Sequence, residues 1–261
     1  MRTGGVTGPK VKTAEWGVAE LMETTALHLA EDDIHVWLAY VPAFQEKRGE
    51  LQRRLSPEES ARMERFYFPE DRERFAVARA LLRSLCGRYE NIPAEWIAHI
   101  RIVADRCGKP LLHSERKAGK LAFNLSHSRH LVAAVFSRER QVGIDVECVR
   151  DVPEWPELAQ HFHPDEQDRL RAVPATEQQR AFFDCWTRKE AFVKATGEGL
   201  SRPLHSFCLT ADEKEGLFRV QGDGPGWDEW RILSFAPAAG YAGAIAFEQG
   251  KQSGISLFPR R

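Results

Sequence analysis

Apolar residues recur along this chain with two periods, and the periods mark out its elements. The run His35-Val36-Trp37-Leu38-Ala39-Tyr40-Val41 is almost continuously apolar and stops at Pro42, which cannot donate to a strand ladder; it predicts a buried strand. Further on the spacing changes. Phe75, Ala78, Leu81, Leu82 and Leu85 fall at i, i+3, i+6, i+7 and i+10, the stripe of a helix that starts at Pro69-Glu70-Asp71 and runs to about Tyr89. Ahead of it, Ser56-Pro57-Glu58-Glu59 combines a capping serine, a proline at the first helical position and a glutamate that closes a capping box. Leu121 to Leu125, Leu131 to Phe136 and Val142 to Glu147 then read as three short strands, and their short connections favour antiparallel pairing. Pro164-Asp165-Glu166 starts another helix, and a long one spans Glu177 to Thr196, ended by Gly197. Strands resume at Phe207 to Leu209, Trp230 to Ser234 and Ala242 to Phe247, with a turn-rich loop at Gly222 to Gly226.

Each half therefore carries a long amphipathic helix and several antiparallel strands. This predicts an α+β fold of two similar lobes, each an antiparallel sheet packed with a long helix, although no sequence repeat marks the duplication. The first thirty residues read differently. Gly4, Gly5, Gly8 and Pro9 predict a mobile tail, and Ala14 to Ala30 a helix, together forming an appendage. The expected division is an N-terminal extension at 1–33, an N-terminal lobe at 34–125 and a C-terminal lobe at 126–261.

Charge narrows the function. With 37 basic and 38 acidic residues the formal net charge is -1, so no global field favours nucleic acid or a membrane surface, and neither is expected as a partner. The five cysteines, Cys86, Cys107, Cys148, Cys185 and Cys208, are odd in number and contain no C-x-x-C; they predict free thiols in a reducing cytoplasm. No apolar run approaches the ~20 residues that span a bilayer. Arg2, Lys10 and Lys12 have no apolar stretch behind them, so no secretory signal is expected.

Four groups of residues carry candidate chemistry. In Gly143-Ile144-Asp145-Val146-Glu147, strand alternation puts Asp145 and Glu147 on one face, with Cα atoms ~7 Å apart. Their tips can converge on one cation, and an all-oxygen set suits Mg²⁺ or Mn²⁺ over zinc. Two solvated acids on a half-exposed strand account for the same pattern. In Trp186-Thr187-Arg188-Lys189-Glu190-Ala191-Phe192-Val193-Lys194, Trp186, Glu190 and Lys194 are spaced i, i+4, i+8 on one helix face. Glu190 is placed to add a third carboxylate or act as a base, and Lys194 to neutralise a phosphate; an ordinary surface Glu–Lys pair has the same spacing. Asn124-Leu125-Ser126-His127-Ser128 offers donors for a phosphate, or a turn bonded to its own backbone; without a G-x-S-x-G elbow it does not read as a serine hydrolase. The last group is cationic: Arg62, Arg65, Arg72, Arg74 and Lys109 of Gly108-Lys109-Pro110. Arginine forks fit phosphate oxygens, while Arg65 and Arg72 read as solvated helix faces.

In this order and spacing the groups resemble one family. G-I-D-V-E at 143–147 and W-T-R-K-E-A-F-V-K at 186–194 resemble the two signatures of the 4′-phosphopantetheinyl transferase superfamily. Asn124 to Ser128 is similar to its N-x-S-H-S segment, and Gly108-Lys109-Pro110 to its G-K-P. Ser56 through Tyr67 resembles the early helix of the longer, surfactin-synthetase-activating kind, and Gly197-Glu198-Gly199-Leu200 also fits. The resemblance covers roughly 35–250 and finds no counterpart for 1–30.

It implies a cytoplasmic monomer of two α+β lobes related by a pseudo-twofold, with coenzyme A as substrate in the cleft between them. It also implies transfer of phosphopantetheine to a serine of an apo acyl or peptidyl carrier protein, with release of 3′,5′-ADP. Carried over by position, Asp145, Glu147 and Glu190 are the ligands of Mg²⁺ (or Mn²⁺), and Glu190 is the candidate base, directly or through a water. Lys194 contacts the transferring phosphate; Arg62, Arg74, Lys109, Pro110, Ser126 and His127 hold coenzyme A. Glu59 stands where relatives often carry a basic residue, and an acid there holds no phosphate. Two alternatives keep parts of this picture: a Mg²⁺-dependent phosphohydrolase, and a non-catalytic module that binds coenzyme A or a carrier.

Overall fold

The computed structural model describes residues 10–113, 119–138, 140–212, 217–224, 226–249 and 256–257. The chain divides into one unit running from Lys10 to Glu139 and a second from Arg140 to Ser256. The tail expected at Gly4 to Pro9 lies outside the described residues.

The first unit contains β1 (Lys10–Glu15), α1 (Val18–Met22), β2 (Asp33–Tyr40), α2 (Arg48–Gln52), α3 (Pro57–Met63), α4 (Pro69–Glu90), β3 (Ile102–Ala104), β4 (Pro110–Leu112), β5 (Leu121–Ser128) and β6 (Leu131–Arg138). Its main sheet has the order β1-β2-β6-β5. The β2–β6 and β5–β6 pairs are antiparallel, and β1 lies parallel to β2. Helix α4 packs on β5 and β6. Leu81, Leu82 and Leu85 are 0% exposed in a core shared with Phe123, Ala134 and Phe136. Burying each leucine contributes about 1.5–3 kcal/mol. The helix opens with Pro69 and stops at Asn91, whose left-handed φ of 53° ends the ladder.

The N-terminal stretch departs from expectation. Residues 14–30 do not form one helix, and 10–33 is no appendage. Lys10-Val11-Lys12-Thr13 alternates with period two, and Val11 is buried as β1 pairs with β2. Trp16, 1% exposed, stacks on Phe44, and only α1 remains of the helix. The boundary at 125/126 also shifts. It would cut β5, which forms a full antiparallel hairpin with β6, so the first unit extends to Glu139.

The second unit contains β7 (Val142–Cys148), α5 (Trp155–Ala159), α6 (Pro164–Ala172), α7 (Ala175–Thr196), β8 (Cys208–Asp212), β9 (Leu217–Gln221), β10 (Trp230–Phe235) and β11 (Tyr241–Glu248). Its sheet has the order β7-β11-β10-β9-β8 and is antiparallel throughout. Helix α7 ends at Gly197 with φ 71°, a conformation glycine adopts without a Cβ penalty. Phe192 on α7 meets Phe207 and Trp230 edge-on over the sheet. Both α4 and α7 are 22 residues long and lie on antiparallel strands, so each unit is an α+β layer pair. A two-residue strand, β12 (Ser256–Leu257), adds to the first sheet beside β1.

Candidate active site

The acidic strand β7 and the helix α7 meet at a glycine. Gly143, Asp145 and Glu147 share a face by strand alternation. A Cβ on Gly143 would stand 2.1 Å from the Ala191 carbonyl oxygen and 2.5 Å from the Ala195 nitrogen. The opposing strand presents Ala242, Ala244 and Ala246 in register with Glu147, Asp145 and Gly143. These small residues let the helix backbone approach the strand closely, and the approach carries Glu190 and Lys194 toward the strand's carboxylates.

The resulting electrostatics follow from burial. Asp145 is 3% exposed, and its Oδ1 accepts a hydrogen bond from Lys194 Nζ at 2.6 Å. Glu190 lies one helical turn before Lys194. Burial pushes the Glu190 carboxyl above its usual range, the Asp145 charge pushes it further, Lys194 opposes, and Glu147 adds a smaller push. Glu147 is half-buried near the strand end, 3.9 Å from the exposed Arg150. Asp145, Glu147 and Glu190 thus repel one another electrostatically, with Lys194 opposing that repulsion at Glu190. That all-oxygen donor set fits a hard divalent ion.

The first unit holds the remaining candidates. On β5, Asn124, Ser126 and Ser128 are buried and alternate with exposed His127, so Ser126 and His127 occupy opposite faces. Arg74 on α4 pairs with Asp71 and donates to the Arg129 carbonyl at 3.3 Å, in the turn between β5 and β6; it stands beside the strand end that bears His127. Arg62 is exposed on α3, its guanidinium 5.4 Å from the Phe75 ring centroid. Lys109 and Pro110 sit on the β3–β4 hairpin, where the Asp105 carboxylate accepts from the backbone nitrogens of Cys107 and Lys109. Arg72 is spent on the Phe66 carbonyl at 2.7 Å, a local helix contact.

Several roles lay outside the sequence reading. Glu59, besides completing the expected capping box with Ser56, pairs with Arg79 and Arg83 of α4. Arg83, 3% exposed, further donates to the carbonyls of Ile97, Ala98 and Ile100. Glu59 is therefore a structural ion that locks α3 to α4. Lys189, inside the second signature, points away from the carboxylates: it pairs with Glu166 of α6 at 2.5 Å and donates to the Phe207 carbonyl at 2.8 Å. Trp186 packs against Phe162 and Phe182. The only local signal for Glu166 was its place at a helix start. Its partner lies 23 residues away, beyond any pattern of local spacing.

One further grouping, His163, Asp165 and Cys208, brings possible ligand atoms within 4.8 Å of one another. Its atoms are otherwise engaged. His163 Nδ1 accepts the Asp165 amide as the cap of α6, and Cys208 Sγ accepts from the Arg169 guanidinium at 3.2 Å, whose charge repels a cation.

Comparisons with known proteins match both units. Residues 141–246 match the 4′-phosphopantetheinyl transferase superfamily model, and residues 42–138 match a 4′-phosphopantetheinyl transferase N-terminal model. The chain is 37% identical over 222 residues to the 4′-phosphopantetheinyl transferase HetI of Nostoc sp., covering 84% of this chain and 90% of that protein. It is 33% identical over 169 residues to the 4′-phosphopantetheinyl transferase Sfp of Bacillus subtilis, covering 64% of this chain and 71% of that one. Among solved structures, the holo-[acyl-carrier-protein] synthase of Thermotoga maritima is 19% identical with a TM-score of 0.35, covering 42% of this chain and 64% of that one.

Proposed function

Because the chain belongs to the 4′-phosphopantetheinyl transferase superfamily, we propose that it moves the 4′-phosphopantetheine of coenzyme A onto a serine of an apo carrier protein, releasing 3′,5′-ADP in a Mg²⁺-dependent reaction. The observation that carries this reading is the convergence of Asp145, Glu147 and Glu190 beside Lys194, at the contact of β7 with α7. Asp145, Glu147 and Glu190 would hold the ion, which when bound neutralises charge on the pyrophosphate and its leaving group.

The chain's own residues do the rest. Glu190, directly or through a water, accepts the proton of the attacking serine hydroxyl. Lys194 stabilises charge on the oxygens of the phosphorus under attack, a role its ammonium can take by leaving Asp145 for the phosphate. On the first unit, His127, Arg62, Arg74 and Lys109 supply donors for the 3′-phosphate and neighbouring parts of coenzyme A. Ser126 is the weakest of the carried-over contacts, being 6% exposed on the opposite face of β5 from His127. A monomer working in a reducing cytoplasm is part of the same proposal; among the described residues no helix is long and apolar enough to cross a membrane, and all five cysteines are free.

The test is an incubation of the purified chain with coenzyme A, Mg²⁺ and a panel of apo carrier proteins, read by intact mass. A carrier that gains one phosphopantetheine, with the gain abolished by EDTA, supports the reading. Phosphate release from simple phosphoesters without any carrier would favour a hydrolase, and coenzyme A binding without turnover a binding module.

A further inference from the structure

The second unit holds a cavity that the transfer reaction does not use. It lies between α6, α7 and the β8–β9 edge and encloses about 350 Å³. That is within the range of small-molecule sites, and at ~30 Å³ per water it admits a ligand of roughly ten non-hydrogen atoms. Most of its wall is apolar, with Leu170, Ala181 and Phe218 in its lining.

Two guanidinium groups interrupt this wall. Arg188 lies with its guanidinium 4.0 Å from the Phe218 ring centroid, and its Nε donates to the Asp184 carbonyl at 2.6 Å. Among the described residues no acceptor is bonded to its Nη1 or Nη2. Arg169 spends Nη2 on the Leu209 carbonyl at 2.9 Å and on Cys208, leaving Nε and Nη1 without a bonded acceptor among the described residues. Glu166 also lines the cavity, but its oxygens are held by Lys189, the Leu209 amide and the His163 amide, so its charge is already compensated. The lining therefore combines a mostly apolar body with two arginine forks whose free N–H groups suit a planar carboxylate.

We propose that this cavity binds a small carboxylate with an apolar tail, its headgroup between Arg169 and Arg188 and its tail against Leu170, Ala181 and Phe218. A carboxylate fits better than a phosphate because its single charge costs less to desolvate against a mostly apolar wall.

The proposal is tested by calorimetric titration of the purified chain with sodium octanoate, with n-octanol and octyl phosphate in parallel arms. Saturable one-to-one binding of octanoate is expected, with octanol, the same body without the charge, weaker by about tenfold or more. Arg188→Met should weaken octanoate by about tenfold or more. Ala181→Leu, which keeps both arginines and fills the cavity, should abolish binding while the circular dichroism spectrum and melting stay normal. Equal affinity for octanoate and octanol, unchanged octanoate binding in Ala181→Leu, or no saturable binding would each overturn the proposal. Tighter binding of octyl phosphate than of octanoate would overturn the assignment to carboxylates.

Discussion

Lys189 and Glu166 form an ion pair at 2.5 Å with side chains 0% and 3% exposed, tying the helix that carries Glu190 to its neighbour α6. Such a pair costs desolvation on both sides, and its partners depend on each other. Lys189→Met should strand the Glu166 carboxylate in the core and lower stability by about 3–5 kcal/mol, read by urea unfolding. The double change Lys189→Met with Glu166→Leu should recover much of that loss. A single variant as stable as the double would show that the pair does not hold α7.

Gly143→Ala tests the close contact between β7 and α7. Its new Cβ meets backbone atoms at 2.1 Å and 2.5 Å, which no side-chain rotation relieves. Strand and helix must part, moving Glu190 and Lys194 away from Asp145. We expect carrier modification to fall by at least about tenfold and the melting temperature to drop, since overpacking of this kind costs ~1–3 kcal/mol or more. Full activity in this variant would mean that the acids do not need the helix at that distance.

Glu190→Gln removes the charge at the centre of the cluster while keeping its shape. It should leave folding and coenzyme A affinity within about threefold of the parent and abolish transfer to the carrier in the mass assay. Transfer at the parental rate would remove Glu190 from the mechanism.

Glu59 predicts an acid-limb effect. Burial raises its pKa, but the Arg83 hydrogen bond and the Arg79 charge outweigh it and hold the carboxyl below its ordinary 4.5. A depressed folded value means the stabilisation is complete above the unfolded pKa and is lost as pH falls through the folded one. Wild-type stability should therefore decline below about pH 4.5. Glu59→Gln should be less stable at neutral pH and show a flatter decline, measured by chemical unfolding from pH 7 to pH 3. Parallel curves would contradict the ionic role.

Thiol reactivity should sort by burial. Desolvation pushes the thiols of Cys86 and Cys185 up to about 12, whereas Cys107 is exposed. Iodoacetamide at pH 8 should alkylate Cys107 in the native chain while Cys86 and Cys185 stay unmodified until denaturant is added, as peptide mapping would show.

The elements that local chemistry controls were legible in the chain. Ser56 and Glu59 close the capping box they announce, Gly197 ends α7 in the left-handed conformation, and the alternation in 142–147 puts Asp145 and Glu147 on the face that meets α7. Strand β1 was missed because its pairing partner β2 lies 23 positions along the chain, and its alternation at Lys10 to Thr13 is only four residues long. Glu59 was legible as a cap and as an acid in an unusual place. Its pairing with Arg79 and Arg83 needs α3 and α4 to fold against each other.

The sequence by itself determined the two long helices and the central strands, the order of the candidate site residues and the family to which they belong, because these depend on spacing, capping and residue chemistry within a few turns of chain. Tertiary structure alone decided which charges meet. It sent Glu190 and Lys194 to the acidic strand and Lys189 to Glu166, because neighbouring positions on one helix face different partners once the helix is packed. It also decided the cavity lined by Arg169 and Arg188, since three elements separate in sequence must enclose it before it exists.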